Sequence, residues 1–171
     1  MLFFSFTGIT LNHPTWFGGE SGHSSAVNGQ LPSEWLTPPD PDKLKIAEHL
    51  RASHRLLGKV VEFRIEDEEC MISFRGPGYV ADVFLERTTG RYDISMVQNG
   101  VIGKWNDLHK GRDSGFAWST VIDISAIITI ISATTGLVML FFLKRKRVSG
   151  TLSAILGGLT FALFYFFFVP S

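Results

Sequence analysis

The chain is poor in the residues that fix a fold by cross-links. Its 171 residues include one cysteine, Cys70, so no internal disulfide can form, and any fold outside a membrane rests on its core. Zinc-ligand spacing is absent. So are a G-x-S-x-G nucleophile turn and a phosphate-cradling glycine loop, which removes those hydrolase and nucleotide-binding signatures. No acidic residue follows Asp123. A positive surplus is also missing ahead of it. From Pro14 to Asp113 there are 12 basic and 15 acidic residues, a net charge of −3. That balance gives no case for nucleic acid or anionic lipid as a partner of this stretch.

What the sequence does have is a long apolar run with a basic stop. Phe116 to Leu143 is 28 residues with one ionisable group, Asp123. About 20 apolar residues suffice to cross the hydrocarbon of a bilayer. Lys144, Arg145, Lys146 and Arg147 follow at once, a cluster that marks the cytoplasmic side. The chain therefore enters the bilayer from outside near Gly115 and leaves it at 144–150, a basic loop. Residues 151–171 read as a second transmembrane helix with an aromatic outer end, and residues 14–115 as lying outside. Gly136 and Gly157-Gly158 suit close helix approach.

Residues 1–13 are apolar but too short to cross. They read as the outer part of a first transmembrane helix that lacks its inner half, or else as a short re-entrant or interfacial anchor. Residues 14–41, rich in Pro, Gly and Ser, read as an extracytoplasmic connector without periodicity. Trp16, Phe17 and Trp35 can sit at headgroup level or cover the outer domain.

Asp40 followed by Pro41 predicts a helix start, and Gly58 a stop. Leu44, Ala47, Leu50, His54 and Leu57 give the stripe between them, with His54 as a satisfied core histidine. From Val60 the period changes to two. Val61, Phe63 and Ile65, then Cys70, Ile72 and Phe74, then Tyr79 to Leu85, then Tyr92, Ile94 and Met96 predict strands joined by tight turns. Asn99-Gly100 predicts a further hairpin. The acidic run Glu66 to Glu69 reads as a solvated tip. Residues 42–107 are thus one helix packed on an antiparallel sheet of four or five strands, an α+β layer ahead of the membrane segment 108–143.

One constellation can carry chemistry. His13 closes the first apolar segment and His109 opens the next, both at the outer membrane face. Two imidazoles facing each other across a helix bundle can hold a b-type haem. Gly111 and Gly115 would leave room for the macrocycle, and Lys110 and Arg112 would meet its propionates. The bland reading is that interfacial His, Lys and Arg meet lipid headgroups alone. Asp123, two turns into the membrane segment, is protonated, paired, facing a polar cavity or reached by water.

Leu108-His109-Lys110-Gly111, the apolar run and then Thr135-Gly136-Leu137 resemble the PepSY-associated transmembrane helix family. Gly8-Ile9-Thr10-Leu11-Asn12-His13-Pro14 resembles the end of that family's first helix, and residues 42–104 are similar to a PepSY domain. The resemblance implies a multi-pass protein of the bacterial inner membrane with one periplasmic PepSY-like domain. Larger relatives include ferric-siderophore reductases of iron uptake that carry haem on membrane histidines, and His13 and His109 match such positions. Three functions follow from this. One is a haem-b redox component that passes electrons to ferric chelates, alone or with another membrane redox subunit. Another is a non-enzymatic module that binds or restrains a periplasmic protein such as a peptidase. The third is a purely structural subunit of a larger transporter, packed through Gly136 and Gly157-Gly158.

Overall fold

The computed structural model describes residues 2–18, 22–36, 41–142 and 147–170. Residues 1–122 form one compact unit and residues 123–171 a second. In the first, helix α1 (Leu2–Asn12) is followed by strand β1 (His23–Gln30), helix α2 (Lys43–His54), strands β2 (Lys59–Ile65), β3 (Glu69–Gly76), β4 (Tyr79–Glu86) and β5 (Arg91–Gln98), and helix α3 (Val101–Lys110). Helix α4 (Phe116–Phe142) starts in that unit, and α5 (Arg147–Phe168) belongs to the second.

The five strands form one antiparallel sheet in the order β1-β5-β4-β3-β2. β2 to β5 are a meander whose turns fall where the sequence places them. β1 lies beside β5, at the far side from β2, so the chain must cross the whole sheet between β1 and β2. Helix α2 is that crossing, and it covers one sheet face. Ile46, Ala47 and Leu50 meet Cys70, Ile72, Phe74, Ala81, Val83, Leu85, Tyr92 and Ile94 in a single core. Burial pushes the Cys70 thiol up, against the nearby charges of Arg87 and Lys43, which lower it.

Five local expectations are corrected. Residues 14–41 are not all connector, because β1 lies within them and pairs with β5 from His23↔Gln98 to Gln30↔Arg91. Its sequence, HSSAVNGQ, has few β-formers, so the strand is imposed by its neighbour. Gly29 lies on the Tyr92 ring, which an added Cβ would overlap. Trp35 packs against the core, whereas Trp16 and Phe17 are exposed.

The α2 start is Asp42, whose carboxylate accepts from Lys45 N at 3.1 Å; Asp40 lies outside the described residues. The stop is Arg55 in the left-handed region, not Gly58. The buried stripe runs through Ile46, Ala47 and Leu50, while Leu44 and Leu57 are exposed. His54 is satisfied, as expected, with Nε2 2.8 Å from the Tyr92 hydroxyl.

Asn99-Gly100 makes no hairpin. Asn99 N donates to Gly78 O at 2.8 Å, Gly100 is the N-cap of α3, and Lys104 N donates to Gly100 O. The helical spacing of Val101, Trp105 and Leu108 overrides the turn signal.

Helices α4 and α5 are each long and apolar enough to cross a membrane, and neither buries any of its apolar stretch. In the second unit Leu140 packs on Gly150, whose added Cβ would come within 2.7 Å of it. Gly136, Gly157 and Gly158 face open space.

Candidate functional site

Helices α1 and α3 and the first two turns of α4 converge on His109. The pairing of α1 with α3 is antiparallel: Thr7 meets His109, and Thr10 meets Asn106. Helix α1 is built inside out. It buries Thr7 and Thr10 completely, yet Leu2, Phe6 and Ile9 are exposed. A water-facing helix buries its apolar stripe, so this distribution suits an apolar surrounding. Phe6 also meets two other exposed rings, Phe17 at 5.9 Å and Trp105 at 6.2 Å.

The seam is polar and closed. Thr10 Oγ1 donates its one proton to Asn106 Oδ1 at 2.6 Å, the shorter of its two acceptor contacts, with the Thr7 carbonyl at 3.0 Å, and Asn106 is buried. Thr7 Oγ1 donates to the Phe3 carbonyl at 2.7 Å. A hydroxyl has one proton, so toward His109 this oxygen must accept. That assigns the imidazole proton to Nδ1, with the chain His109 Nδ1–H to Thr7 Oγ1–H to Phe3 O. Nε2 then carries the lone pair. It has no hydrogen-bond partner among the described residues, and it is not sealed from the surroundings. Phe4 packs edge-on against the ring at 5.2 Å.

Trp118, in the first turn of α4, donates its Nε1–H to the Leu108 carbonyl at 2.7 Å and packs on Phe3 at 6.2 Å. The Leu108 carbonyl also accepts Gly111 N at 3.2 Å, and the indole joins this end of α3 to α4. Gly111 caps α3 at φ +69, which a glycine adopts without strain.

The other expected site residues are placed as follows. His13 lies just past α1, its ring stacked on Trp16 at 3.8 Å and its Nε2 3.4 Å from the Asn12 side-chain amide. It is six residues beyond Thr7, about 9 Å along the axis at 1.5 Å per residue. The fold therefore gives His13 and His109 different partners at different levels of α1.

The space beside Gly111 is taken by Ile122, and that beside Gly115 by the Lys59 amine, each 3.3 Å from an added Cβ. Lys110 is exposed. Arg112 is largely exposed and faces Asp107 at 3.8 Å. Asp123 is exposed on α4. Lys144, Arg145 and Lys146 lie outside the described residues, and Arg147 opens α5. A haem iron held here would take His109 Nε2, which has no hydrogen-bond partner among the described residues.

Thr7, Thr10, Asn106 and Trp118 complete the site. The signal for the first three was available. Thr7 and Thr10 stand three apart in an apolar run, as Asn106 and His109 do in α3, and so each pair shares a helix face.

Over residues 1–170 the sequence matches the family described as "Putative PepSY_TM-like". No curated protein and no solved structure matches it. The match takes in α1, the sheet unit and both long apolar helices, so the chain belongs to the PepSY_TM-like family.

Proposed function

We propose that this protein is a membrane-anchored binding module. On this reading α4 and α5 cross the bacterial inner membrane, the Lys144 to Arg147 cluster lies on the cytoplasmic side, and the sheet unit holds a periplasmic partner protein. The observation that carries the reading is the unpaired pair of outer strands. β1 has β5 as its one neighbour and β2 has β3, so each presents a free row of backbone donors and acceptors among the described residues. Peptide-binding domains commonly use such edges by adding a partner strand. The test is site-specific photocrosslinking in intact cells, with the photoreactive residue at Arg64 on β2, at Ser25 on β1 or at Asp67 on the hairpin tip. A discrete protein adduct from either edge, and not from the tip, is expected. Silence at both edges would overturn the reading.

The His109 geometry supports a second reading, in which His109 Nε2 would hold a haem together with a ligand from another membrane redox subunit. Bound haem would supply one-electron transfer, toward ferric chelates if the resemblance to siderophore reductases extends to function. The contribution of this chain would be the fixed tautomer. Thr7 holds the Nδ1 proton and aims the ring, as second-shell partners of ligating histidines do.

A further inference from the structure

We propose that the groove between α2 and the β2 edge is the binding site of an extended peptide segment, apolar at its centre and acidic at its ends, which joins the sheet as a sixth strand. The proposal rests on the binding-module reading and names its site and ligand chemistry.

Three observations meet there. First, the groove has a volume of about 420 Å³, with Leu44, Ala47, Val60 and Phe63 among its walls. Leu44 is 73% exposed and Val61, beside it in sequence to Val60, 55%, so the apolar surface continues out of the groove. Second, the β2 backbone is available at this point. Glu66 N donates to Glu69 O at 2.8 Å, so the hydrogen-bonded pairs of the hairpin fall on Glu66, Arg64 and Glu62 by alternation. The N–H and C=O of Phe63 and Ile65 consequently point away from β3, toward the groove side of the edge. Their side chains pack on the core, so an added strand would set alternate side chains against Phe63 and α2.

Third, the charges have a pattern. Arg51 is paired with Glu48 and Arg64 with Glu62. Lys43 and Lys59 have no ion pair among the described residues, and both are exposed. Lys43 sits 5.7 Å from the centre of the Phe63 ring, and Lys59 is four residues back along β2. The groove thus has an apolar floor with Lys43 toward one end and Lys59 toward the other, the Lys59 amine reaching to Gly115. A segment with apolar residues between two carboxylates complements it in shape, hydrogen bonding and charge. The bulge at Val61 stops regular pairing on the Lys59 side, which confines the backbone contacts to Phe63 and Ile65.

The experiment uses the full chain in nanodiscs and measures fluorescence anisotropy. The probe is a fluorescein-labelled seven-residue peptide alternating valine and threonine with glutamate at both ends; a second probe has lysine at both ends. The decisive variant is Ile65→Pro. It removes an edge-facing N–H and leaves the β2–β3 ladder intact, since proline is tolerated on an edge strand. The glutamate-ended peptide should bind in preference, and Ile65→Pro should weaken it about tenfold in protein that keeps its folded circular-dichroism spectrum, the size expected for a lost backbone bond, while the lost Ile65 packing lowers the thermal midpoint.

Lys43→Glu with Lys59→Glu, both surface changes, should invert the preference between the two peptides, and this reads the site even if the proline variant fails to fold. Equal affinity in a folded Ile65→Pro overturns the proposal, as does equal binding of both peptides. Loss of peptide binding when the nanodisc lipid is made anionic would show that headgroups occupy the groove. A crosslink from β2 of one copy to β2 of another would show that a second copy does. Either result overturns it. If peptide binding fails while β1 still gives adducts in cells, the binding-module reading survives without this site.

Discussion

The Asp107 carboxylate accepts the Gly78 amide at 2.9 Å and so ties α3, the helix that leads to α4, to the turn between β3 and β4. The Gly78 carbonyl is held as well, by Asn99 N at 2.8 Å. Gly78 has φ +70, and an added Cβ would meet the Lys104 backbone at 3.0 Å. The turn, the end of β5 and α3 are therefore one clamp. Removing the acceptor in Asp107→Ala should cost about 1–3 kcal/mol, the price of a partly buried donor left unpaired. Gly78→Ala should also destabilise, through strain and crowding together. Thermal unfolding of detergent-solubilised protein checks both. The 3.8 Å approach of Arg112 to Asp107 should contribute little, because Arg112 is 63% exposed, and Arg112→Gln should leave the midpoint unchanged.

The α1–α3 seam rests on Thr10 and Asn106, both buried. Thr10→Val keeps the shape but takes the proton from Asn106 Oδ1, at a cost of about 1–3 kcal/mol. The double variant Thr10→Val with Asn106→Leu should recover part of that loss, because no polar atom is then stranded. Hydrogen exchange of α1 amides reads the effect locally: faster exchange is expected in the single variant and partial rescue in the double.

His109 gives a spectroscopic prediction. If its Nε2 ligates haem, haem-supplied protein should show a b-type band pattern on reduction, lost in His109→Ala and retained in His13→Ala. Thr7→Val should shift the bands rather than abolish them, since it releases the ring without removing the ligand. A spectrum free of haem bands in the haem-supplied full chain would leave His109 as a structural member of the seam.

Cys70 is completely buried, and loss of solvation raises its thiol above the ordinary 9.0. A folded-state value above the unfolded one means stability is level below pH 9.0 and falls as pH rises above it, because the unfolded chain loses its proton first. Tyr79 and Tyr92, raised by burial from 10.0, should add to the fall at higher pH. Urea unfolding from pH 7 to 10.5 should show this alkaline limb, with Cys70→Ala lacking its earliest part. Maleimide should label Cys70 only on unfolding.

Sidedness is open to direct measurement. In a Cys70→Ala background, Ser95→Cys on the sheet and Ser149→Cys in the first turn of α5 should behave oppositely. An impermeant maleimide should reach residue 95 in intact spheroplasts and residue 149 only after lysis. The reverse pattern would overturn the proposed topology.

Much of the architecture was written locally. The meander β2 to β5 follows from alternation and turn residues, and the two long apolar helices from length and hydropathy. These features depend on near neighbours in sequence, which is why they can be read there. The family was legible too, because its motifs are short and contiguous. Leu108 to Gly111, read from sequence as the opening of the membrane segment 108–143, stands instead at the end of α3, a helix separate from α4.

Tertiary structure decided the rest. β1 is a strand because β5 offers it an edge, although its own residues favour none. Asn99-Gly100 opens a helix because α3 packs against α1 and the Gly78 turn claims Asn99. The partner of His109 is Thr7, 102 residues away, rather than His13. The sequence by itself determined α2, the β2 to β5 meander and the long apolar runs, since backbone preference and periodicity act over a few residues. Only the fold decided which polar side chains meet, because a hydrogen bond is set by a few tenths of an ångström between segments that the sequence leaves unrelated.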